Sequence, residues 1–68
     1  MNWYEFRGRI MEDLGIGKRR AMNLEMMFRQ KYKGSKDAIQ NLTKVRYSDS
    51  GRVTFKLKIN NKDKMITI

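Results

Sequence analysis

Sixty-eight residues allow one small domain, 1–68, with a core close to the lower limit for folding alone. Sixteen Lys and Arg stand against seven Asp and Glu, giving +9 and an isoelectric point near 10.3, with no Cys and no His. No disulfide can staple such a chain, and the usual zinc, iron and copper ligand sets are missing, so no cofactor is expected.

The first half reads as helical. Trp3, Phe6, Ile10 and Leu14 fall at i, i+3, i+7 and i+11, one stripe of a helix that Asn2 caps and Gly15 and Gly17 stop. Ala21, Leu24, Phe28 and Tyr32 repeat that spacing, with Met27 beside them, up to Gly34. Ser35 then suits the N-cap of a short third helix over 35–43, with Asp37 in its first turn and Ala38, Ile39 and Leu42 facing inward. Glu5, Glu12 and Glu25 are expected to pair with Arg9, Arg29 or other nearby cations.

From Lys44 the period falls to two. Val45 and Tyr47, then Val53, Phe55, Leu57 and Ile59, then Ile66 and Ile68 alternate with polar residues, separated by turns at 49–51 and 60–63. A three-residue Asp49-Ser50-Gly51 loop with Gly51 left-handed pairs Tyr47 with Val53 and Val45 with Phe55, gathering the apolar residues on one face. A four-residue second turn pairs Ile59 with Lys64, Leu57 with Ile66 and Phe55 with Ile68. The expected fold is α+β: two helices and a short third helix, then a three-stranded antiparallel meander packed on them by one face.

The opposite sheet face follows by subtraction. It carries Lys44, Arg46, Arg52, Lys56 and Lys58 with no acidic residue, and sets Lys44 against Lys56. Like charges facing each other destabilise a sheet, so this row calls for an anionic partner, as a phosphate-tracking surface would. The face has no aromatic platform for unstacked bases, which favours a duplex.

A second basic feature joins the first two helices. In Gly15-Ile16-Gly17-Lys18-Arg19-Arg20-Ala21 a flexible turn leads into a helix start crowded with cations, where the dipole disfavours them. Residues 14–24 resemble the helix-hairpin-helix DNA-binding motif. That resemblance implies phosphate contacts from Gly15, Gly17, Lys18 and Arg19, with Arg20 alongside, and close packing of Ala21 between the helices. Leu14 and Asp13 stand where the family has a proline and an apolar residue.

These features give the expectation of a DNA-binding protein, regulatory or architectural, with duplex DNA as partner and no small-molecule substrate. A winged helix-turn-helix, with 35–43 in the groove, is a variant of the same expectation. Two alternatives stay open: an accessory protein docking on a protein partner through Met22 and Met26 or a sheet edge, and a binder of structured RNA or the ribosome. The methionine surface also suits a homodimer. Enzymatic chemistry is not expected, since no nucleophile, tuned base or metal set is evident. No apolar run is long enough for a membrane span or a signal-peptide core, which leaves a cytoplasmic location as the default expectation.

Overall fold

The computed structural model describes residues 2–33 and 39–68. Two helices, α1 (Trp3–Leu14) and α2 (Lys18–Lys31), precede three strands, β1 (Leu42–Tyr47), β2 (Val53–Ile59) and β3 (Lys62–Thr67). The strands form an antiparallel sheet in the order β1-β2-β3, and the fold is α+β.

Local chemistry sets the helix ends. The Asn2 side chain accepts the Glu5 N–H at 2.8 Å and starts α1. Gly15 adopts the left-handed conformation at the other end, and the Ile16 N–H reaches back to the Met11 carbonyl at 3.2 Å. The helix stripes then meet the sheet at three phenylalanines. Phe6 of α1, Phe28 of α2 and Phe55 of β2 are all fully buried, with ring centroids 4.5–5.7 Å apart. Around them lie Ile10, Ala21, Leu24, Leu42, Val45, Val53 and Leu57. Met27, expected beside this stripe, points to solvent instead.

One charged side chain is as buried as the core. Glu25 receives Arg7 of α1 at 2.8 Å and Arg29 of its own helix at 3.3 Å. Arg29 also lies over the Trp3 ring at 4.5 Å, so a single carboxylate and an indole tie the two helices together at that level.

The first hairpin has the expected register: Tyr47 opposes Val53, Val45 opposes Phe55 and Lys44 opposes Lys56. Ser48 and Arg52 close the loop, and Gly51 sits at φ +82°. Upstream the ladder shifts at Thr43, a bulge whose hydroxyl donates to the Lys56 carbonyl at 2.9 Å. The bulge changes the parity, so Leu42 joins Val45 on the buried face opposite Leu57. Leu42 and Thr43 therefore belong to β1 and not to a third helix. Residues 39–41 are helical and lead straight into the strand, while Ser35, Lys36, Asp37 and Ala38 lie outside the described residues.

The second hairpin differs from expectation. Asn60 and Asn61 both take positive φ, 52° and 64°, and make a two-residue turn. Ile59 pairs with Lys62, Leu57 with Lys64 and Phe55 with Ile66. Asp63 thus leaves the turn and becomes a strand residue opposite Lys58. Lys64 falls on the helix-side face, where its ammonium sits 5.2 Å from the Tyr32 ring.

The outer edge of β1 is covered by side chains of α1. Asp13 accepts the Val45 N–H at 2.9 Å, and Arg9, paired to Asp13 at 3.3 Å, donates to the Thr43 carbonyl. Arg9 is therefore held by Asp13 and not by Glu5. At β3, Lys31 donates to the Thr67 carbonyl.

Two stability predictions follow from these contacts. Gly51→Val should cost about 1–2 kcal/mol, because a β-branched residue is strained at positive φ; an unchanged urea midpoint would contradict the loop geometry. Asp13→Ala strands the Val45 N–H and should cost about 1–3 kcal/mol.

Candidate functional site

Because the apolar residues of all three strands turn toward the helices, their neighbours in sequence turn the other way. Along β1 and β2 this outward set is strongly cationic, and the register fixes its rows. Arg46, Thr54 and Thr67 form one row across the sheet, Lys44, Lys56 and Met65 the next, and Lys58 and Asp63 a third. Adjacent rows are about 7 Å apart along the strands and neighbouring strands about 5 Å apart. Four cations, Lys44, Arg46, Lys56 and Lys58, thus share one face.

The face is not free of acid. Asp63 lies on it and reaches Lys56 at 3.6 Å, which corrects the expectation of a surface without a carboxylate. The cause is the tighter second turn, which draws Asp63 into β3. Lys44, Arg46 and Lys58 make no ion pair among the described residues. Lys44 and Lys56 oppose each other directly, so their mutual repulsion is left to solvent and to Asp63.

Hydroxyls and amides accompany the charges. Thr54 and Thr67 share a hydrogen bond at 3.0 Å, as do Ser48 and Ser50. Arg46 borders a shallow polar cleft with Tyr47, Ser48, Asp49 and Thr54. Lys58 borders another with Gln40, Asn41, Thr43, Asn60 and Asn61. Such a surface offers many hydrogen-bond donors, with the part-exposed Tyr47 at its rim and no aromatic in its outward rows.

Arg52 is placed differently from the other four. It stands just before β2 at the end of the sheet and borders a cleft with Met27, Gln30, Lys31 and Ile68. Its cation therefore marks the boundary between the outer face and the helical layer.

Gly15, Gly17, Lys18, Arg19 and Arg20 lie at the junction of α1 and α2 and not in the sheet that carries the cationic rows. Gly17 is the N-cap of α2 and provides no side-chain cap, and the first turn of α2 holds no acidic residue. Ala21 is fully buried between the helices. Lys18, Arg19 and Arg20 are all exposed, but consecutive helical residues project about 100° apart. They fan out, and Lys18 turns into a groove lined by Tyr4, Arg7, Gly8 and Met11. Asp13, close by in sequence, is committed to the β1 edge.

Among the described residues no group of three or more His, Cys, Asp or Glu is placed to hold a metal, and no helix is long and apolar enough to cross a membrane. No family model, curated protein or solved structure matches the chain.

The unrelieved cations make a prediction about stability. Replacing Lys44 with Glu sets a carboxylate against Lys56, and the thermal midpoint at low salt should rise. The gain should shrink by about 0.5 M salt, where screening acts within a few ångströms. A midpoint unaffected by Lys44→Glu at low salt would show that the two lysines do not oppose each other.

Proposed function

We propose that this chain binds duplex DNA through the sugar-phosphate backbone, without reading bases, and that the outer sheet face is the contact surface. The observation that carries the reading is the row structure of that face: Lys44, Arg46, Lys56 and Lys58 stand together, with Asp63 among them and Asp49 at the cleft beside Arg46. Folding gives no reason for this. The sheet is held by its opposite face, and cations gathered on one surface raise the energy of the folded chain. A polyanion offsets that repulsion and releases its own condensed counterions as it binds.

The outward rows of the sheet carry no aromatic side chain, which favours a duplex over unstacked single strands. Side chains that end in ammonium or guanidinium groups, interspersed with threonine and asparagine, suit phosphate oxygens and carry little base discrimination. An architectural role fits such a surface better than sequence-specific regulation. The Gly15–Arg20 hairpin is a secondary contact in this reading, since Lys18, Arg19 and Arg20 fan out around α2 while the sheet cations share one face.

The test is a binding titration at several salt concentrations with duplex DNA, single-stranded DNA and structured RNA. The native chain should favour duplex DNA and lose affinity linearly on a log-log salt plot. Replacing Lys44, Arg46 and Lys58 together with Gln should weaken binding at least tenfold on every duplex sequence and flatten the slope by about 2–3 units, at roughly 0.9 per phosphate. Replacing Lys18, Arg19 and Arg20 with Gln should have a clearly smaller effect. Asp63→Asn should tighten binding by freeing Lys56. A triple sheet variant that binds like the native chain, or a native preference for RNA, would overturn the reading.

A further inference from the structure

The outward face of the helix pair combines three features that the fold itself does not use. It is apolar where solvent would favour polar groups: Tyr4 is 73% exposed, Met26 55% and Met22 37%. It is notched at Gly8, which sits in the middle of α1 and lines the groove between the helices. A Cβ at this position would meet nothing within 4 Å, so no neighbour in the chain requires a glycine there. Yet glycine inside a helix costs about 1 kcal/mol relative to alanine.

The third feature is charge. Glu5, Gly8 and Glu12 follow one another at i, i+3 and i+7, a single ridge on the α1 bank of the groove. Arg19, Met22 and Met26 form the matching ridge on α2, with Lys18 inside the groove. Glu5, Glu12, Lys18 and Arg19 make no ion pair among the described residues. One bank is therefore acidic, the other basic, and neither is neutralised among the described residues.

We infer that a second copy of this chain covers the face, related by a two-fold axis along the groove, so that α1 of each copy lies on α2 of the other. A surface with one acidic and one basic bank is complementary to itself under that rotation. The levels agree as well. Met11 and Lys18 share the groove, and Arg7 reaches Glu25, so the end of α1 stands beside the start of α2. A rotation along the groove keeps each residue at its level. It brings Glu12 toward Lys18 and Arg19 of the second copy, and Tyr4 toward Met26 of the second copy, while the Gly8 notch admits a methionine.

Magnitudes permit such a dimer despite the net charge of +9. The cationic sheet faces end up on opposite outsides, separated by two layers of a molecule whose shortest extent is 20 Å. Screening at physiological salt acts over about 8 Å, so repulsion between those faces is small. Helices of 12 and 14 residues are about 18 and 21 Å long, which places the contact at the lower end of specific interface sizes and makes the dimer concentration-dependent. If the duplex reading also holds, the dimer offers two backbone-binding faces and joins two duplexes.

Sedimentation equilibrium at 0.15 M salt tests the inference, with circular dichroism as the check on folding. The native chain should show a monomer–dimer equilibrium. Glu12→Lys and Arg19→Glu should each weaken it at least tenfold, and the two together should restore it to within about threefold, since the exchanged charges meet again. Gly8→Gln should raise the thermal midpoint by removing a helix-interior glycine, yet weaken association at least tenfold by filling the notch. A native chain that stays monomeric, or a double variant no better than either single one, overturns the proposal and leaves the face to a different protein. Duplex titration of Glu12→Lys separates the two readings: a monomer that still binds one duplex but no longer joins two supports both. A dimer that binds no duplex overturns the sheet-face reading alone.

Discussion

Three phenylalanine rings hold the molecule together. Phe6, Phe28 and Phe55 come from three separate elements, meet within 4.5–5.7 Å and are fully buried. The rest of the architecture is arranged by that meeting. Trp3 and Tyr32 pack on its flanks, at 4.9 Å from Phe6 and 5.6 Å from Phe28, and the sheet has to present Phe55 inward. Once Phe55 points inward, strand alternation sends Thr54, Lys56 and Lys58 the other way.

The cationic surface is thus the complement of the core. A three-stranded sheet with one layer of helices can protect only one face, and the other is available for any composition compatible with water. Here that composition is lopsided. Edge lysines are a common defence against strand-to-strand aggregation, but Lys56 and Lys58 stand on the central strand, where no edge needs defending. The polar residues that do serve the fold are found elsewhere: Glu25 between the helices, and Arg9 with Asp13 against β1.

What the sequence revealed and what it hid can be traced to particular residues. The first hairpin was legible because a one-residue error would have turned Tyr47 and Val45 to solvent, and only a loop closed by a left-handed Gly51 avoids that. The second hairpin was not. A slip of two residues leaves every side chain on the same face, so alternation is blind to it, and two consecutive asparagines accepting positive φ decide the turn. The consequence reached the candidate site, since the slip moves Asp63 onto the outer face beside Lys56. Thr43 hid in a similar way: a bulge breaks the period at the point where β1 begins, so Leu42 looked helical. Glu25 was half legible: its pair with Arg29 follows the i+4 spacing, whereas Arg7, eighteen residues away, gave no periodic signal.

The Arg9–Asp13 pair has a further consequence. Two turns of a helix present an acceptor and a donor to Val45 and Thr43 much as a neighbouring strand would, and so occupy the β1 rim with side chains instead of backbone. A chain at high local concentration would otherwise be at risk of templated sheet growth from both margins. With one margin occupied, any extension is limited to the β3 side, where Lys31 already holds the last carbonyl of the strand. The molecule can therefore be crowded without propagating into a ribbon.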